Sequence, residues 1–205
     1  MIIIPELETV LLQPPRTGTS SVKDAVLEKY PKAFVLYRHM ERVGIPHGYE
    51  RYQIVSHMRN PFTRMESLFK YMSKPDVRED TDPEWLSAVQ KATRTGFKDW
   101  LLNSQYVFAK GAPTVSKPYR PKYQVAYAVR EQEKSQRLWA EGADDVIKFE
   151  TLGYDVGRLL NIHSLPLRGA TSEKQFEWDK DMFDHMWQWH EWDLNAYGYS
   201  SRWRV

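Results

Sequence analysis

The sequence predicts an α/β domain built on a mostly parallel sheet. Three observations predict it. Short apolar runs of strand length, at 7–13, 33–38, 52–57 and 145–150, alternate with stretches of helical period. The junctions carry helix-starting residues, Gly18 with its Ser/Thr neighbours and Asn60-Pro61. The 205 residues, at roughly 150 per domain, make one domain of 1–205 with enough chain to bury a core unaided.

Residues 7–13 (LETVLLQ) read as a short buried strand, closed by Pro14-Pro15. After R-T-G-T-S-S, a helix is expected from about 20 to 30, with Val22, Ala25, Val26 and Tyr30 on one face. Two further strands are expected at 33–38 (AFVLYR) and 52–57 (YQIVSH). The helix after Asn60-Pro61 places Phe62, Met65, Leu68/Phe69 and Met72 on one side, and Arg64, Ser67 and Tyr71 on another. Short helices come next at 83–93 and 97–104, with Trp85, Val89, Trp100 and Leu101 inward. Residues 110–124, with three prolines and four basic residues, read as a long surface loop. A helix at 131–141, the strand 145–150, a helix at 152–162, a loop at 163–177 and a final helix at 179–197 complete the chain. That last helix is rich in aromatics: Phe183, Trp187, Trp189 and Trp192 suit core packing, and one exposed Trp could instead stack on a sugar.

Composition excludes several classes. Eight Trp and 14% aromatic residues are too many for a disordered chain. With 29 Lys+Arg against 27 Asp+Glu, there is no charge excess of the kind a nucleic-acid coat needs, so no nucleic-acid partner is expected. The absence of cysteine excludes disulfides, thiolate metal sites and cysteine nucleophiles. No run approaches the ~20 apolar residues of a membrane span. Ile2-Ile3-Ile4 is too short for a signal-peptide core. A soluble, cytoplasmic protein without membrane attachment is expected; no pattern sets an oligomeric state.

Two stretches carry chemistry. In Pro14-Pro15-Arg16-Thr17-Gly18-Thr19-Ser20-Ser21, a Gly/Ser/Thr loop enters a helix N-terminus. Backbone N–H groups and the helix dipole there favour an anion, hydroxyls add donors, and Arg16 adds a planar cation. The same residues also suit an ordinary capped strand–helix turn. This is not the phosphate loop of kinases and GTPases, which needs G-x-x-x-x-G-K-[ST]. In the second stretch, Arg59-Asn60-Pro61-Phe62-Thr63-Arg64-Met65-Glu66-Ser67, an Arg at a strand end and a Ser two turns into the helix could hold a phosphate from two sides, or merely decorate a capped helix.

Taken together, P-R-T-G-T-S and R-N-P-F-T-R-M-E-S resemble the two nucleotide-binding motifs of sulfotransferases that use 3′-phosphoadenosine 5′-phosphosulfate (PAPS). Val146-Ile147-Lys148-Phe149-Glu150-Thr151-Leu152 is similar to that family's late strand. Glu191–Ser200 is similar to the ending of its carbohydrate-sulfotransferase branch. The likeness touches residues 10–200 and leaves about 75–140 unmatched. It implies a P-loop-like three-layer α/β/α fold. It also implies a first motif (Arg16, Thr17, Gly18, Thr19, Ser20, Ser21) on the 5′-phosphosulfate and a second (Arg59, Ser67) on the 3′-phosphate. Arg168-Gly169 or Lys174 stand where the family's late phosphate loop carries basic residues. The family's first cation is often Lys; Arg16 stabilises charge but cannot act as an acid near neutral pH. Where the small-molecule branch has a Trp for adenine, this chain has Ser21 or Val22.

The implied reaction is sulfuryl transfer from PAPS to a hydroxyl of a carbohydrate or small metabolite. It proceeds by in-line positioning and charge neutralisation with no metal required. A general base would take the acceptor proton. His39, just past a strand, is favoured, then Glu41, then His47; His57 reads as packed within its strand. His185 and His190 lack metal-site spacing. The alternatives are an atypical P-loop phosphotransferase, which would need a Mg²⁺-binding Ser/Thr after a Lys, and a non-catalytic nucleotide-binding relative.

Overall fold

The computed structural model describes residues 1–36, 39–73, 94, 96–108, 135–166 and 176–199. Contacts divide the chain into two compact units, Met1–Asn60 with Gln136–Ala170, and Pro61–Ser135 with Thr171–Val205.

The first unit is a five-stranded sheet with helices. Its strands are β1 (Ile2–Ile4), β2 (Thr9–Leu12), β3 (Phe34–Val35), β4 (Gln53–Met58) and β5 (Asp145–Lys148), in the order β3-β1-β2-β4-β5. Helix α1 (Thr19–Lys29) comes after β2, and a longer excursion through β3 returns the chain to β4. The register pairs Leu12 with Ser56 and Met58 with Lys148, so β2, β4 and β5 run parallel.

The sheet is mixed rather than mostly parallel. β1 pairs antiparallel with both β2 and β3. A single tight turn, Pro5–Leu7 with Glu8 in the left-handed region (φ 48°), joins β1 to β2. So short a connection joins only antiparallel neighbours. Three apolar residues carry no period, so Ile2–Ile4 gave no strand signal of its own. The expected strand 33–38 is reduced to Phe34–Val35 on the sheet edge, and residues 37–38 lie outside the described residues.

Side chains from one face of the sheet, Ile2, Ile4, Leu11, Val55 and Ile147, pack on Val22, Ala25 and Val26 of α1. They also meet Val156 and Leu160 of a later helix at Leu152–Leu160. The expected inner face of α1 is thus the buried one. Each buried Val, Leu or Ile side chain among them contributes about 1.5–3 kcal/mol. The Tyr30 hydroxyl donates to the Leu160 carbonyl at 2.6 Å and ties the two helices together. Ile3, Val10, Leu12 and Met58, on the opposite face, are buried as well. β2 and β4 are therefore covered on both sides, as continuous apolar strands require.

The second unit joins α2 (Pro61–Met72), α3 (Phe97–Phe108) and, with the two short helices of the first unit counted as α4 (Arg137–Ala140) and α5 (Leu152–Leu160), α6 (Lys180–Ala196). Its core is aromatic: Phe62 meets Trp178 at 4.9 Å between centroids, and Phe69 meets Phe97 at 5.4 Å. Trp100 and Leu101 are buried as expected, and Trp85 and Val89 lie outside the described residues. The Asp179 carboxylate caps α6 by accepting from the Met182 N–H at 3.1 Å. Both faces of α2 are covered: Arg64 is 0% exposed and Ser67 3%. The expected helix 83–93 and the loop 110–124 lie outside the described residues. No helix among the described residues is long and apolar enough to cross a membrane.

Candidate functional site

β2, β4 and β5 lie side by side and end together, so the segments leaving them are brought to one edge of the sheet. After β2 comes Gln13–Gly18, after β4 Arg59-Asn60, and after β5 Phe149-Glu150. In α/β sheets the carboxyl ends of parallel strands are where ligands bind. Two residues 43 positions apart in sequence are here neighbours: the Arg59 Nη1 donates to the Arg16 carbonyl at 3.2 Å.

The first turn is held by its carbonyls. The Gln13 carbonyl accepts from His39 Nδ1 at 2.8 Å, and the Pro14 carbonyl from the Thr17 hydroxyl at 2.8 Å. Arg59 takes the Arg16 carbonyl. His57 Nδ1 takes that of Thr17 at 3.3 Å. The Gln13 amide donates to the Thr19 carbonyl at 3.2 Å. In a trans peptide the C=O and the next N–H point in opposite directions. Tethering the carbonyls of Arg16, Thr17 and Thr19 to the protein therefore aims the N–H groups of Thr17, Gly18 and Ser20 the other way. Pro14 and Pro15 have no N–H to satisfy. Arg16 and Gly18 both take left-handed conformations (φ 65° and 79°) ahead of α1. Such alternation is how successive N–H groups form an anion-binding concavity, here at a helix N-terminus. Holding a non-glycine residue such as Arg16 there costs about 1–2 kcal/mol. Gly18 has no room for more: a Cβ would lie 3.0 Å from the Phe149 ring and 3.1 Å from Leu152.

His57 explains how the tether is kept. It sits on β4 beneath the turn, fully buried, and desolvation pushes its pKa down to about 4 despite the opposing bond to the Thr17 carbonyl. A carbonyl only accepts, so Nδ1 carries the proton and Nε2 the lone pair. Among the described residues that Nε2 has no hydrogen-bond partner. An unpartnered buried acceptor costs about 1–3 kcal/mol. The sequence expectation that His57 is packed rather than catalytic agrees with this burial.

In the second turn the backbone is locked instead. The buried Gln136 side chain forms a two-way pair with Arg59, accepting from its N–H at 2.9 Å and donating to its carbonyl at 2.8 Å. Glu150 accepts from the Asn60 N–H at 2.8 Å. With the main chain fixed, the Arg59 guanidinium lies over the Phe149 ring, 4.0 Å from its centroid.

His39 is half-buried in a left-handed conformation (φ 57°), and its carbonyl accepts from the buried Trp139 indole at 3.1 Å. Because its Nδ1 faces the Gln13 carbonyl, the neutral ring carries its lone pair on Nε2. Glu41 is half-buried and its carbonyl starts the turn Arg42–Gly44. His47 is fully exposed and pairs with Glu50. Thr17 is wholly buried and its hydroxyl braces the turn; Thr19 and Ser21 are buried and Ser20 exposed. Ser67 is buried within α2 of the second unit. Arg168, Gly169 and Lys174 lie outside the described residues. On α6, His190 is buried against Asp193 at 3.3 Å, and Trp189 is 52% exposed.

Comparison of the chain with protein-family models, curated proteins and solved structures finds no match. The assignment of the site therefore rests on its own geometry. Sequence reasoning named the arginines and the hydroxyl loop, quoted Phe149 and Glu150 only within the late-strand likeness, and gave no role to Gln13 or Gln136. Gln13 had residue type as its signal, an amide ending an apolar strand, and Gln136 had none.

Proposed function

We propose that the chain is a PAPS-dependent sulfotransferase, with the three-layer P-loop-like architecture of that family. The observation that carries this reading is the meeting of the two arginine-bearing turns, with Arg59 donating to the Arg16 carbonyl at the shared edge of β2 and β4. The residues suit a doubly anionic nucleotide. The N–H groups of Thr17, Gly18 and Ser20, turned away from the tethered carbonyls, would with Arg16 take its 5′ end. Arg59 would take the 3′-phosphate.

The donor supplies an activated sulfuryl group, and the chain does the rest. Amides fixed in advance neutralise charge without reorganising, which is where most electrostatic catalysis comes from. Arg16 holds charge on the phosphate side throughout. His39 takes the acceptor hydroxyl proton on Nε2, with Nδ1 anchored to the Gln13 carbonyl so that the ring keeps one tautomer. The acceptor is a hydroxyl of a carbohydrate or small metabolite.

Thermal stabilisation by adenosine 3′,5′-bisphosphate, by ATP with Mg²⁺ and by sulfate tests the reading. The bisphosphate is expected to stabilise most. A preference for ATP with Mg²⁺ would favour a phosphotransferase. Bisphosphate binding without transfer from PAPS to any hydroxylated acceptor would favour a non-catalytic relative.

A further inference from the structure

The Phe149 ring touches both turns. Its face carries the Arg59 guanidinium at 4.0 Å, and its edge lies against Gly18, where even a Cβ would come within 3.0 Å. The ring is held in place by the turn Phe149–Thr151, which Asp155 pins by accepting from the Lys148 N–H at 2.9 Å and the Thr151 hydroxyl at 2.6 Å. Yet 36% of Phe149 remains exposed, so packing alone does not account for an aromatic residue here.

We propose that Phe149 is a positioning residue that sets the preference of this site for a nucleotide bearing a 3′-phosphate, by holding the Arg59 guanidinium in the orientation that meets it. The inference rests on the assignment of Arg59 to that phosphate. A guanidinium carries five N–H donors, all in its own plane. Stacking on a ring fixes the plane and consumes none of them. The bond to the Arg16 carbonyl then fixes rotation within that plane. An arginine otherwise gives up rotamer freedom when it grips a ligand. Prior stacking removes much of that loss, and a cation over a ring is itself worth about 0.5–2 kcal/mol.

The test is the ratio of affinities for adenosine 3′,5′-bisphosphate and 5′-AMP, measured by titration calorimetry. Damage to the first turn lowers both affinities and leaves the ratio alone. Phe149→Leu, and Phe149→Met as a second ring-less variant, are expected to lower the ratio roughly three- to thirtyfold. Phe149→Tyr, which keeps the ring, should restore it. In an Arg59→Ala background, Phe149→Leu should change the ratio no further. An unchanged ratio in both ring-less variants, or the same fall without Arg59, overturns the proposal while leaving the sulfotransferase reading intact. A wild-type chain that binds the two nucleotides alike overturns that reading of Arg59, and this inference with it.

Discussion

The turns after β2 and β4 are built in opposite ways. In the first, main-chain N–H groups are turned away from the tethered carbonyls, which Gln13 of the turn itself and His39, His57 and Arg59 from elsewhere hold back. In the second, the main chain of Arg59 is locked by Gln136 and its neighbour Asn60 by Glu150, and a side chain is presented instead. A backbone cradle needs glycine and left-handed geometry and tolerates little change. A presented arginine needs only a rigid base and a surface to lie on. Under the proposed function the first turn is thus the more fragile, and the second the more selective.

That contrast can be broken by substitution. The largest effect is expected at His39, the base of the proposed reaction: His39→Ala should lower turnover by about 10²–10⁴-fold with donor affinity little changed. Unchanged turnover would remove His39 from the chemistry and leave Glu41 as the next base to test. Arg59→Ala should come next, weakening bisphosphate binding by about ten- to a hundredfold, as losing a charge-assisted bond of roughly 1.5–3 kcal/mol implies. Binding of 5′-AMP should fall less, through loss of one carbonyl tether of the first turn; equal losses for both would erase the distinction between the turns. Gly18→Ala should destabilise the fold by about 1–2 kcal/mol from left-handed strain alone, read by denaturant unfolding, and weaken bisphosphate and 5′-AMP together. A loss confined to the bisphosphate would contradict its place at the 5′ end.

Smaller effects sharpen the comparison. Gln136→Leu leaves two main-chain groups of Arg59 without their partner, at about 1–3 kcal/mol of stability, and should lower the bisphosphate preference. His57→Leu frees the Thr17 carbonyl at about 1 kcal/mol, whereas His57→Asn, with a donor near the position of Nδ1, should retain ligand affinity. The same histidine predicts a pH dependence. Its folded pKa of about 4 lies below the ordinary value of 6.5, so between these values the unfolded chain binds more protons. Stability should fall as pH drops through that window, and His57→Asn should flatten the fall.

The sequence made part of this legible. Arg16, Gly18 and Arg59 could be found because turns and helix starts demand particular residue types locally. The buried faces of α1 and α2 could be found from their period. The direction of β1 could not, since three isoleucines lack a period. Nor could the burial of Arg64, which stands on what reads as the polar side of α2. The carbonyl tethers were hidden for a different reason: His57 reaches Thr17 across 40 positions and Gln136 reaches Arg59 across 77, and no local pattern encodes such pairs. A lone histidine in an apolar strand was the one visible trace of that scaffold.

The most direct test of the central claim is calorimetric titration of the intact chain with adenosine 3′,5′-bisphosphate, 5′-AMP and 3′-AMP side by side. If both turns grip one molecule, the bisphosphate should bind at least about tenfold more tightly than either monophosphate, because each end then adds a charge-assisted contact. Equal affinity of the bisphosphate and one monophosphate would mean that only one turn engages, and would contradict the shared nucleotide site.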